Sequence, residues 1–223
     1  AVMEINRVIK MELSRRQFTS ILGSGLLLSN AQVRAFSANN QDKLAPVFVS
    51  AASDKADNHW LVVLDKQGLI KHQLALPSRA HQINIQPNTS ILAVAARRPG
   101  TYLKIVDAEK GEIIHHISPN QGQHFYGHSS YSADGRYLYT TENHIESGEG
   151  LIVVRDTEKN YLVINSFPSH GIGPHEIKLH PDGKTLIVAN GGILTHPDSG
   201  RTKLNLDTMS PSLVYLDANN GEL

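Results

Sequence analysis

Cysteine is absent from the 223 residues. That absence removes disulfides, thiolate nucleophiles, iron–sulfur clusters and covalently attached c-type haem together. Any metal must then be held by histidine, carboxylate or backbone oxygen. Net charge is absent too: Lys plus Arg and Asp plus Glu stand at 21 each, so no field favours a polyanion and nucleic acid is not an expected partner. The apolar, small-residue run 21–28 is too short to span a bilayer as a stable helix, so the mature protein is expected to have no transmembrane helix. What the chain does have is about 40% apolar content, enough for a sizeable core, and 12 histidines.

The N-terminus reads as an address. Ser14-Arg15-Arg16-Gln17-Phe18-Thr19 matches a twin-arginine export signal, and the apolar run follows it at the right distance. Small residues at Ser29 and Ala31, or Val33 and Ala35, offer cleavage sites. Residues 1–10 precede Met11 and read as an upstream extension, 11–35 as the signal peptide, and 45–223 as the folded domain. The expected location is the bacterial periplasm, reached through the twin-arginine export machinery.

Three histidines, His81, His128 and His175, lie 47 residues apart. Each opens a short strand that runs into a turn at Pro87-Asn88, Asp134-Gly135 or Asp182-Gly183, residues that fix or tolerate turn conformations. A second strand follows, apolar or β-prone on both faces as in a sheet buried on both sides. A third ends each time in an aspartate, at Asp65, Asp107, Asp156 and Asp217. Four strands per unit of roughly 40 to 50 residues is the period of a β-propeller blade. The expected fold is an all-β propeller of WD40/YVTN-like four-stranded blades. Residues 45–76 make an incomplete first unit, 81–117 and 128–167 two full ones, and 175–223 lacks a fourth strand. About four blades leave open edges, so the chain is expected to be the N-terminal part of a larger propeller, with on the order of 100 to 150 further residues downstream.

Propeller strands run a to d outward from the channel, so the d–a junctions and b–c loops share one face. The marker histidines sit at d–a junctions, and the segments 143–150 and 191–211 are read as b–c loops. The candidate ligand or metal residues on that face are His81, His128, Glu142, His175, Glu176, His196, Asp198 and Asp207. Such a set suits a divalent metal, through borderline nitrogen and hard oxygen, or an anion if the histidines are protonated. Gly127-His128 also resembles the Gly-His of WD-type blades, in which histidine buttresses its own blade; both readings stay open. No catalytic Ser-His-Asp arrangement can be picked out.

The chain resembles the twin-arginine-exported periplasmic propellers known as domain of unknown function 1513. The resemblance rests on Thr141-Glu142-Asn143, Gly173-Pro174-His175-Glu176, Val188-Ala189-Asn190-Gly191-Gly192-Ile193, and the loop from Thr195-His196-Pro197-Asp198 through Asn205 and Asp207 to Pro211. His144 departs from it, standing where the family tends to have an acidic residue. The resemblance implies a seven-bladed ring and a neighbourhood of periplasmic iron-uptake proteins as partners. The expected function is a ligand-, metal- or protein-binding module linked to iron acquisition, rather than an enzyme. The alternative is a propeller enzyme of lactonase or dehydrogenase type.

Overall fold

The computed structural model describes residues 48–223. Arg15, Arg16 and the rest of the expected signal peptide lie outside the described residues. Among the described residues, fourteen strands form four small sheets, all antiparallel, in chain order. The first holds β1 (Phe48–Ser53), β2 (His59–Leu64) and β3 (Ile70–Leu76). The second holds β4 (Ala80–Ile85), β5 (Ile91–Ala96), β6 (Leu103–Asp107) and β7 (Glu112–Ile117), and the third β8 (Gln123–Tyr131), β9 (Tyr137–His144), β10 (Glu149–Asp156) and β11 (Leu162–Ile172). The fourth holds β12 (Pro174–Leu179), β13 (Thr185–Asn190) and β14 (Ser212–Asp217). Among the described residues, no helix is long and apolar enough to cross a membrane.

Alternation along β5 shows how the sheets stack. Leu92, Val94 and Ala96 join a core with Leu61, Val63 and Leu76 of the first sheet, while Ala93 and Ala95 join Phe125, Tyr131 and Leu138 of the third. A strand covered on both faces needs apolar residues at both parities, as β5 has. A third core repeats the pattern, setting Ile152 and Val154 against Ile177, Leu186 and Val188.

The repeated aspartates fasten the turns that follow them. Asp65 Oδ1 accepts from the amides of Gln67 and Leu69 at 2.9 Å, Asp156 Oδ1 from Glu158 N at 3.0 Å, and Asp217 Oδ1 from Asn219 N at 2.8 Å. Each carboxylate thus satisfies amides that leave the strand ladder unpaired.

One expected loop is not a loop. Within 143–150, β9 and β10 stay paired as far as Asn143 opposite Gly150, leaving only a tight turn between them. By contrast, 191–211 is irregular apart from 3-10 turns at Pro197–Ser199 and Leu206–Thr208. Asn205 ties this loop's base together: its Oδ1 accepts from Leu194 N at 2.7 Å and its Nδ2 donates to Gly192 O at 2.8 Å.

Candidate metal centre

Each marker histidine sits where the pairing register of its strand slips. The β4–β5 ladder jumps between Ala80 and Gln82, the β12–β13 ladder between Pro174 and Glu176, and the β8–β9 ladder between Phe125 and Ser129. His81 and His175 are the single residues inside the first two irregularities, and His128 lies inside the third with Tyr126 and Gly127. A bulge frees a residue from the alternation of the strand and re-aims its side chain. Here the first strands of three successive sheets use the same device.

The bulges are held by neighbours. Thr141, opposite the slip in β8, accepts from His128 N at 3.3 Å and donates to His128 O at 3.1 Å through its hydroxyl. Gln82 Oε1 accepts from Ser129 N at 2.6 Å, and Asn84 Nδ2 donates to Ser129 O at 2.8 Å, so β4 is stitched to β8 just past His128. Gly127 has φ +109°, which favours glycine, and a Cβ there would lie 2.8 Å from His81 Cδ2.

The three rings converge. Their centroids are 4.8 Å apart for His81 and His128, 5.0 Å for His128 and His175, and 5.7 Å for His81 and His175. One ring nitrogen from each lies within 4.8 Å of the other two. His81 and His175 are open to solvent, and His128 is set deeper. Burial, then the charges of His128, His175, Arg97 and Arg98, pushes His81 down to about 4. Burial also lowers His128, against the upward pull of Glu176, and lowers His175, helped by Arg98. All three imidazoles are thus shifted toward the neutral form, in which one ring nitrogen of each carries a free lone pair. Neither ring nitrogen of His128 makes a well-aligned hydrogen bond, although Glu176 Oε1 stands 3.1 Å from its Nδ1 at ion-pair distance. Three such nitrogens make a facial donor set for a divalent metal, with positions left over for another ligand.

The other expected residues divide. Glu176 borders the cluster through His128 Nδ1, and its Oε1 is also 3.6 Å from Lys178 Nζ. Glu142 does not: it is fully buried, accepting from Arg155 Nη2 at 2.8 Å and from Thr140 Oγ1 at 2.7 Å. Burial raises its pKa, while Arg155 and Thr140 pull it back. It is the anion of an internal pair, placed by its strand position opposite Phe125 and Leu151. His196 and Asp198 stay in the long loop, where His196 Nδ1 accepts from Asp198 N at 3.1 Å and caps a 3-10 turn. Asp207 is exposed in the second turn of the same loop. None of these four stands in the histidine group.

The sequence reading missed Arg97, Arg98, His124 and Tyr126. Arg97 and Arg98 follow β5, at the start of a b–c connection, so the face rule applied to the loops after β9 and β13 would have found them. Gly100 and Phe125 exchange backbone hydrogen bonds at 2.8 and 2.9 Å, which pins this connection to β8 beside the bulge. Arg98 lies over the Tyr126 ring, 5.0 Å from its centroid, and the Tyr126 hydroxyl donates to Ile193 O of the long loop. A separate cleft of about 370 Å³, lined by residues such as His144 and Glu149, contains none of the three histidines.

A family model described as "Protein of unknown function (DUF1513)" matches residues 74–223. No curated protein matches the sequence. Among solved structures, Kuenenia stuttgartiensis hydrazine synthase aligns with a TM-score of 0.54 at 18% identity, over 74% of this chain and 44% of that one. Dihydro-heme d1 dehydrogenase NirN in complex with DHE aligns at 0.46 and 18% identity, over 55% and 25%. The chain thus spans less than half the length of either. The first likeness shows a propeller-like fold and, at that identity, nothing of the activity.

Proposed function

The chain belongs to the DUF1513 family, and from that footing we propose that it is a metal-binding propeller whose centre is formed by His81, His128 and His175. The observation that carries this reading is the approach of their ring nitrogens to within 4.8 Å of one another. Structural buttressing asks each histidine to bond within its own blade. These three instead turn toward one another from separate sheets, and no ring nitrogen of His128 finds an aligned partner. Imidazole donors suit Zn, Cu, Ni or Fe, and with open positions the ion stays accessible to exchange or to a further ligand.

Binding is the reading taken because the three imidazoles are used as metal donors and the carboxylate beside them has partners of its own. That carboxylate, Glu176, is engaged by His128 and Lys178. The role in iron acquisition, the periplasmic location and the seven-bladed ring remain part of this proposal, supported by the sequence resemblance and the Arg15-Arg16 motif.

The test is metal analysis and thermal shift on the full chain with Fe(II), Zn(II) and Ni(II). One equivalent of metal, a rise in melting temperature, and loss of both in His175→Ala that still folds are the expected results. No metal-dependent shift with any of the three ions would sink the reading.

A further inference from the structure

The surroundings of the histidines are more positive than a bare cation site should be. Burial, then the charges of Arg201, Arg79 and Arg98, lowers the pKa of Arg97. Arg97 N donates to Arg79 O at 3.0 Å, one step beyond the Ala80–Ala96 pair that flanks His81. Arg98 is fixed over Tyr126, two residues before His128. Among the described residues, none of Arg79, Arg97, Arg98 and Arg201 forms an ion pair with a carboxylate. Arg98 Nη1, His124 Nε2 and Thr195 Oγ1 are buried without a well-formed hydrogen bond. His124 and Thr195 are each 2% exposed, and His124 stacks on Tyr126 at 5.8 Å. Buried polar groups normally have partners; Arg98 Nη1 is a donor and Thr195 Oγ1 can be one, while His124 Nε2, whose Nδ1 faces Phe125 O, is an acceptor, so an acceptor beside Arg98 and Thr195 would satisfy the two that donate.

We propose that an oxyanion, a carboxylate or phosphate group, fills the open coordination position over His81, His128 and His175 while Arg97 and Arg98 hold its outer oxygens. The inference rests on the metal reading above. It follows from charge: a divalent ion bound by three neutral ligands adds to the field of the arginines, and a bound anion relieves both. Guanidinium matches a carboxylate or phosphate edge with paired donors, which an ammonium does not. Metal and anion should therefore bind cooperatively, each tightening the other by the same factor.

Co(II) reports the test, because its visible spectrum changes when an inner ligand is exchanged. The full chain is titrated with Co(II) alone, then with malonate or with inorganic phosphate. We expect one of these anions to alter the spectrum and to bind the Co(II)-loaded protein at least about tenfold more tightly than the metal-free protein. Preference between the two distinguishes a carboxylate ligand from a phosphate one. Arg98→Gln should abolish the coupling while leaving Co(II) affinity without anion unchanged or tighter, and Arg98→Lys should keep part of it. Melting temperature shows whether each variant folds; if Arg98→Gln does not, Arg97→Gln carries the same expectation. Co(II) binding with no response to either anion, or coupling untouched by both arginine variants, overturns the oxyanion and leaves the metal centre standing. Anion binding that is equally tight without metal also overturns it. Failure of Co(II) to bind removes both proposals.

Discussion

His128 Nδ1 lies 3.1 Å from Glu176 Oε1, across the boundary between the third and fourth sheets. The carboxylate follows the next marker, His175, so the fourth sheet supplies a part of the environment of the third sheet's histidine. A carboxylate on the far nitrogen of a ligand imidazole fixes the ring and raises its basicity. Glu176→Gln should therefore weaken metal binding by about 10- to 100-fold while the melting temperature of the metal-free protein stays close to that of the parent. Competition titration with a chromophoric chelator reads the first quantity. Unchanged metal affinity would assign Glu176 to the surface pair with Lys178 alone.

The period of the fold was readable because a 47-residue marker, turn pairs and strand-ending aspartates recur at fixed offsets. Each reports a local constraint: turn geometry or an amide that must be satisfied. The convergence of His81, His128 and His175 was not readable, since it depends on bulges, and a register slip leaves no signature in residue type. Glu142 misled for a related reason. Its partner Arg155 stands opposite Leu138, not Glu142, and meets the carboxylate only through the reach of its side chain, so a buried pair looked like a loop carboxylate. Arg97 and Arg98 could have been found by face parity alone; the unmatched Nη1 of Arg98 could not.

Acid should destabilise the metal-free protein in a defined window. Free histidine takes a proton near 6.5, and folded His81 only near 4, with His128, His175 and His124 lowered in the same sense. Between those values the unfolded chain holds more protons, so stability rises with pH and is lost as pH falls from 6.5 toward 4. Above 6.5 this contribution is fully favourable. Urea midpoints at pH 7.5, 5.5 and 4.5 should fall in that order, less steeply in a variant with all three marker histidines replaced by alanine. A flat profile from 7.5 to 5.5 would contradict histidines held neutral by the fold.

Gly127→Ala should disturb the centre through contact as well as backbone. Its φ of +109° strains any L residue, and the new Cβ would meet His81 Cδ2 at 2.8 Å. Gly68 offers the comparison, with φ +79° and nothing within 4 Å. Alanine at either position should cost about 1 to 3 kcal/mol through strain. Only Gly127→Ala should also loosen metal binding, because only there must a ligand ring move. Equal metal affinity in the two variants would mean that His81 is free to shift without leaving the site.

Glu142 and Arg155 provide the reverse separation, a large stability effect with no effect on the metal. The carboxylate is 0% exposed and the guanidinium 3%, joined at 2.8 Å. Removing one partner leaves the other's charge or donors buried, which costs about 3 to 5 kcal/mol. Glu142→Ala is the harsher test, because arginine cannot shed its proton to escape, whereas in Arg155→Met the carboxyl can take one, its pKa being already raised by burial. Glu142→Ala should therefore lower the unfolding midpoint more than Arg155→Met. In the folded fraction of both, metal affinity should match the parent. A loss of metal in Glu142→Ala larger than its loss of folded protein would return this carboxylate to the ligand set.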